Sequence, residues 1–458
     1  MVIDDFKRHI ESGARCHLVG IGGVSMSPLA EVLRVMGVSI TGSDMNDSPS
    51  VEHLRSIGID VTVGHSAENV RGAGYVIRTA AAREDNAEII AAREMGIPVF
   101  ERAQAWGYIM RGYKNAVCIA GVHGKTTTTS MITYILLAAE ADPTIMIGGI
   151  LPILGSGYRV GKGDVIALES DEYYNSYHNF FPTVAVVLNV DADHLDFFED
   201  LNDLKSSFRK FASLVPDTGH IVCNGDDENT MQALAPLGRE LLTFGHGFGA
   251  RVRGVNVNAS GRNPTMSVLY DGKPFCDIRL MIPGAQNLRN ALAATAAAIA
   301  LDIPAEAIVK GLNAYTGVGR RFEFKGTLRG ADIYDDYAHH PSEIRALLDA
   351  VKSLGYKRVI MAFQPHTYSR TRALFPDFVT ELSRPDVTFL AEIYAAREKN
   401  DLSISSDILA DAVPGARCCA SLRELTEELA AIAREGDIIL TVGAGDITTV
   451  SDALASFH

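Results

Sequence analysis

The chain has 458 residues, enough for about three domains of ordinary size. With 47% hydrophobic and 21% charged residues it reads as a globular protein, and its net charge of −14 argues against nucleic acid or an anionic membrane surface as the main partner. Six scattered cysteines with no C-x-x-C pair suggest neither a disulfide framework nor a zinc site; the acidic, mixed opening residues and the lack of a membrane-length apolar run predict a cytoplasmic protein without membrane insertion.

The first predicted strand covers 15–20. It enters a glycine turn, Gly20-x-Gly22-Gly23, and then a helix at 25–36, where Met26, Leu29, Ala30 and Leu33 recur at helical spacing. Strands are expected at 37–41, leading to Asp44, and at 60–63, 75–79 and 98–100. Strands alternating with helices predict a parallel, doubly wound sheet. The turn is close to the dinucleotide fingerprint G-x-G-x-x-G, but Ser25 takes the place of the third glycine; Asp44 lies near the spacing of a ribose-binding acid. The pattern reads as a site for a nucleotide or sugar-nucleotide diphosphate, with tight packing of glycines as the plainer alternative. Residues 103–114 read as a link to the next domain.

A second strand–turn–helix begins at 115–120. Its turn is Gly121-Val-His123-Gly124-Lys125-Thr126-Thr127, and its helix is expected at 127–139. A glycine turn between strand and helix lets backbone N–H groups close on phosphate oxygens, and the helix N-terminus adds the positive end of its dipole. Lys125 is placed to reach the β- and γ-phosphates of ATP, and the Thr126 hydroxyl to face Mg²⁺. The spacing G-x-x-G-K-T is two residues shorter than the common pattern, which points to a subclass of phosphate loops. A plain helix start with a surface lysine is the bland alternative. If Lys125 is a solvent-facing phosphate ligand, Lys125→Ala removes turnover and leaves the fold intact.

Further strands are expected at 165–168, 183–189 and 219–224. The first runs into Glu169-Ser-Asp171-Glu172, whose carboxylate oxygens suit a hard cation beside a phosphate loop. The second runs into Asn189-Val-Asp-Ala-Asp193-His194, at the edge where open α/β sheets bind ligands; His194 is read as a metal or substrate-phosphate residue. Residues 250–279 alternate polar and apolar and contain Asp271-Gly272, a hairpin signal, so a small antiparallel insertion is expected. An alanine-rich helix follows at 287–301. The last third predicts strands at 333–337, 358–363, 387–391 and 437–442, again parallel α/β. Gly319-Arg320-Arg321-Phe322 offers two arginines to clamp a phosphate. Asp335-Asp336-Tyr337-Ala338-His339-His340-Pro341 and Gln364-Pro365-His366-Thr367-Tyr368-Ser369-Arg370-Thr371-Arg372 both end strands. Two such clusters in succession suggest a site for an anionic substrate.

Taken together and in this order, these motifs resemble those of the Mur ligases, over nearly the whole chain from Gly20 to Gly445. The resemblance is nearest to the alanine-adding branch. It implies three α/β domains: an N-terminal Rossmann-like domain for the UDP-sugar (1–110), a central P-loop mononucleotide-binding domain for ATP (111–317), and a C-terminal Rossmann-like domain for the amino acid (318–458). It implies an ATP- and Mg²⁺-dependent ligase joining UDP-N-acetylmuramate to L-alanine through an acyl phosphate, as a monomer or homodimer. On this resemblance Gly22, Gly23, Ser43, Asp44, His339 and Arg370 contact substrate. Gly121, His123, Gly124, Lys125, Thr126, Thr127, Asn290 and Arg321 contact ATP, and Thr126, Glu169 and His194 bind metal. Lys125, His194, Arg321 and His339 are the catalytic set, with His339 a candidate base. Three positions depart from the family: Val122 replaces a usual Thr, Phe208 stands where several siblings carry a modified lysine, and Arg397 replaces a small residue. A ligase that attaches a preformed peptide, a nucleotide-binding regulator without turnover, and an NAD-linked dehydrogenase are the alternatives.

Overall fold

The computed structural model describes residues 2–79, 81–192, 197–396, 398–399 and 403–456. It contains two compact units, Met1–Arg253 with Ala293–Gly311, and Gly254–Leu292 with Leu312–His458.

The first unit opens with a five-stranded parallel sheet of β1 (Cys16–Val19), β2 (Ile40–Asp44), β3 (Asp60–Val63), β4 (Tyr75–Arg78) and β5 (Val99–Glu101), in the order β3-β2-β1-β4-β5. The central β1 is buried along its length, as expected of a strand covered on both faces. Its neighbouring helices start at caps the sequence supplies: Ser48 accepts from the Val51 N–H, and Asn86 from the Glu88 N–H.

Residues 103–114 were expected to be a link, but Arg102–Met110 is a helix. Ala103, Trp106 and Met110 are buried on it, with Ala105 and Ile109 beside them. Gly107 obscured the pattern, and it has a reason to be glycine. A Cβ there would lie 1.9 Å from the Asn179 carbonyl oxygen, so the helix approaches the turn at Tyr173–Asn179 as only a glycine allows.

The second sheet uses β6 (Asn115–Ala120), β7 (Thr144–Leu151), β8 (Ser156–Arg159), β9 (Val165–Glu169), β10 (Val184–Val187), β11 (His220–Asn224) and β12 (Leu241–Gly245), ordered β12-β11-β10-β6-β9-β7-β8. Pairing is parallel except for the β7–β8 hairpin. β13 (Val252–Asn258) starts beside β12 through Phe244↔Val252 and Gly245↔Arg253. The register decides the chemistry: Ala120 lies opposite Val187, and Ile119 opposite Glu169. The loops that follow β6, β9 and β10 therefore leave from one edge.

In the second unit β14 (Thr265–Tyr270) and β15 (Lys273–Arg279) form the expected hairpin, with Asp271 at φ 47° and Gly272 at φ 77° as a mirror-image turn requires. The last sheet comprises β16 (Glu323–Leu328), β17 (Ala331–Asp336), β18 (Arg358–Phe363), β19 (Val387–Leu390), β20 (Arg417–Cys418) and β21 (Asp437–Val442), in the order β16-β17-β21-β18-β19-β20. It is parallel except at β16, which forms an antiparallel hairpin with β17. The all-parallel expectation missed β16 because its turn is Arg329-Gly330, both at positive φ, and arginine is an unusual residue for such a position. Asp336 and Phe363 both pair with Val442, so β17 and β18, which lead into the two charged motifs, end level with each other and with β21.

Candidate active site

The phosphate-loop motif sits between β6 and the helix Lys125–Ala138. Gly121 has φ 144° and Gly124, at the helix N-cap, φ 86°. A Cβ on Gly121 would stand 2.8 Å from the Leu188 Cβ, so both backbone angle and space call for glycine. In this threonine- and serine-rich helix Thr129, Ser130 and Thr133 donate to the carbonyls of Lys125, Thr126 and Thr129, one turn back.

Lys125 folds back over the turn. Its ammonium donates to the Gly121 carbonyl at 2.7 Å and to the two Glu172 oxygens at 3.0 and 2.9 Å. Burial by itself would lower the lysine pKa, but Glu172, Asp171 and Glu169 outweigh it and hold the ammonium above its ordinary range. Lys125 is therefore not the solvent-facing side chain expected from the sequence: its partner Glu172 is fully buried, and Lys125 is its counter-ion. Thr126 donates to Glu169 at 3.1 Å, and the other Glu169 oxygen accepts from the Gly148 N–H at 2.6 Å. Thr127 is buried. His123 is held by its backbone to the Asn189 side chain, with its ring Nε2 3.6 Å from Asp191. His194 lies outside the described residues.

In the first sheet Gly20 and Ile21 donate to the Ser43 carbonyl at 2.8 and 3.0 Å, and the Gly22 N–H to Asp44 at 2.9 Å. Asp44 thus shapes the turn as well as flanking it. Gly23 closes the turn by donating to the Gly20 carbonyl. The Ser43 side chain is fully buried, and its hydroxyl donates to the equally buried Glu88 at 2.7 Å. Ser43 supports the turn through its carbonyl.

Asn290 lies on the helix Ala285–Ile299, 3.5 Å from Asn287, which is tied to the Pro283 carbonyl. In the last sheet both arginines stand over the Tyr337 ring, Arg320 at 4.9 Å and Arg321 at 4.6 Å. Arg320 is also bound to Asp335 at 3.2 Å and to the Gly443 carbonyl at 2.6 Å. His339 Nδ1 lies 3.0 Å from the Tyr337 carbonyl. A carbonyl only accepts, so this contact puts the proton on Nδ1 and makes Nε2 the basic nitrogen. His366 lies 5.8 Å from the His339 ring, stacks on Tyr394 and meets Arg370 at 3.2 Å. Asp336 accepts from the Phe322 and Ala338 N–H groups, both at 2.8 Å. Burial raises its pKa to about 6, with Arg321 and the two N–H groups partly offsetting. Residue type alone singles out none of Tyr337, His366 and Tyr394; the clustering of rings around His339 and Arg321 is visible only in three dimensions.

Three family models match in order: the Mur ligase family catalytic domain over 15–114, the Mur ligase middle domain over 119–298, and the Mur ligase glutamate ligase domain over 320–445. The chain belongs to the Mur ligase family. Among curated Mur ligases, the UDP-N-acetylmuramate–L-alanine ligase of Clostridium novyi is 40% identical, covering 96% of this chain and 97% of that one. The corresponding enzyme of Clostridium perfringens is 42% identical, with 96% and 97% covered. Among solved Mur ligases, the UDP-N-acetylmuramate–alanine ligase of Thermotoga maritima superposes with a TM-score of 0.80 at 29% identity, covering 96% and 98%. A murein peptide ligase from Psychrobacter arcticus shares the fold at TM-score 0.73 and 21% identity, with 97% and 99% covered. Phe208 is fully buried edge-on to Tyr177. Among the described residues no helix is long and apolar enough to cross a membrane.

Proposed function

We propose that this chain is an ATP-dependent ligase that forms the amide between the carboxylate of UDP-N-acetylmuramate and L-alanine, in cytoplasmic peptidoglycan precursor synthesis. The observation that carries the reading is the phosphate loop, with Lys125 poised between the Gly121 carbonyl and Glu172 and with the Thr126–Glu169 pair beside it. It stands in a chain matched end to end by alanine-adding relatives.

A carboxylate is a poor electrophile, and an amine does not displace oxide from it. Transfer of the γ-phosphoryl group to the muramyl carboxylate gives an acyl phosphate, and ADP leaves. The alanine amine then attacks the acyl carbon, and inorganic phosphate leaves from the tetrahedral intermediate. Thr126 and Glu169 offer a hydroxyl and a carboxylate 3.1 Å apart, a donor set that suits Mg²⁺. The metal, when bound, supplies positive charge on the phosphate oxygens. His194 is assigned to the same metal chemistry on the family pattern. Lys125 neutralises the β- and γ-phosphates in exchange for its present partners. Gly121, His123, Gly124 and Thr127 line the nucleotide phosphates, and Asn290 serves the adenine side. Gly22, Gly23 and Asp44 hold the UDP-sugar. Arg321 and Arg370 meet substrate or phosphate anions, and His339 Nε2 takes the proton that alanine must lose before it attacks.

The test is phosphate release from ATP and Mg²⁺ by the purified protein with UDP-N-acetylmuramate, supplying L-alanine, glycine, L-serine or the cell-wall tripeptide in turn. Release that needs both the sugar nucleotide and L-alanine, with the amide confirmed by mass, is expected. Release with the tripeptide alone would move the protein to peptide recycling. No release with any of them, despite ATP binding, would refute the ligase reading.

A further inference from the structure

Asn189 follows β10 and is the residue through which the chain grips the phosphate loop. Its Oδ1 accepts from the His123 N–H at 2.9 Å, and its Nδ2 donates to the His123 carbonyl at 2.9 Å. One side-chain amide thereby satisfies both backbone groups of a residue 66 positions away, as a neighbouring strand would. The consequence follows from trans peptide geometry, which points the C=O and N–H of one plane in opposite directions. With the His123 carbonyl held toward Asn189, the Gly124 N–H turns away from it. With the His123 N–H held likewise, the Val122 carbonyl turns away, and there it meets the Lys125 ammonium at 3.4 Å. The gripping segment is itself anchored. Asn224 donates to the Leu188 carbonyl at 3.1 Å, Val190 donates to Asp227 at 3.2 Å, and Asn229 donates to the Val190 carbonyl at 3.0 Å. Asp227 also caps the helix Glu228–Leu234.

We infer that Asn189 is the positioning residue of the phosphate loop: it fixes the two peptide planes at His123 so that the Gly124 N–H faces the nucleotide before it arrives. This rests on the ATP-binding reading of Gly121–Thr127. A loop preset in this way spends none of the binding energy on ordering itself. The role is distinct from holding the fold, because Asn189 acts on a turn whose strand and helix are built without it.

The experiment compares full-length Asn189→Ala and Asn189→Asp with wild type and with Lys125→Ala. Alanine deletes both bonds. Aspartate keeps the acceptor for the His123 N–H but sets a second carboxylate oxygen against the His123 carbonyl. The KM for ATP is expected to rise about tenfold with alanine and further with aspartate, the tenfold change being about 1.4 kcal/mol. The KM values for UDP-N-acetylmuramate and L-alanine stay within about twofold, and kcat recovers at saturating ATP. Two results would overturn the inference: a KM for ATP within about twofold of wild type in both variants, or a loss in which all three KM values, kcat and the thermal midpoint move together. Retained activity in Lys125→Ala would instead remove the ATP-loop reading on which the inference stands.

Discussion

Replacing Lys125 by alanine is expected to do two separable things. The Lys125 side chain is 18% exposed and its partner Glu172 0%, with two nitrogen–oxygen contacts at or under 3.0 Å. Deleting the lysine removes one partner of a buried ion pair, which costs about 3–5 kcal/mol. That is a large part of the roughly 5–15 kcal/mol by which a domain is stable. Deleting both charges, in Lys125→Met/Glu172→Gln, removes the buried carboxylate with its lysine and keeps the lysine stem. This double variant is expected within about 1.5 kcal/mol of wild type. Turnover should be lost in both, because neither supplies a cation to the phosphates. The assay is urea denaturation of nucleotide-free protein followed by tryptophan fluorescence. The chain has a single tryptophan, Trp106, buried in the same unit as Lys125, so the signal reports that unit. A single variant within about 1 kcal/mol of wild type would refute the argument from Glu172 burial. Full activity in either variant would refute the phosphate-loop role.

Gly121→Ala should raise the KM for ATP and lower stability by about 1–3 kcal/mol, since its Cβ would press on Leu188 at a φ of 144°; an unchanged thermal midpoint and KM would contradict this. Asp336 has a folded pKa of about 6 against an ordinary 3.8, so its contribution to stability is fully present below pH ~4 and is lost as pH rises through about 6. The gap in unfolding free energy between wild type and Asp336→Asn should therefore move in favour of the asparagine variant between about pH 4 and 6, by at most about 3 kcal/mol; a gap independent of pH would show that Asp336 does not titrate there.

Much was legible in the sequence because it was local. A strand, a glycine turn and a helix start are neighbours in the chain, so the loop at Gly121–Thr126 and the turn at Gly20–Gly23 declared themselves through residue type and spacing. The order of motifs declared the family for the same reason. Partnership across the sheet was not local. That Lys125 pairs with Glu172, 47 positions on, and Asn189 with His123, 66 positions back, follows from parallel pairing of β6 with β9 and β10, which brings three loop starts to one edge. Burial was equally hidden: Ser43 lies at the end of a promising strand, yet its hydroxyl is turned to Glu88. Side chains on successive residues of an extended chain point to opposite faces, and only the packed sheet decides which of those faces is the site and which is the core.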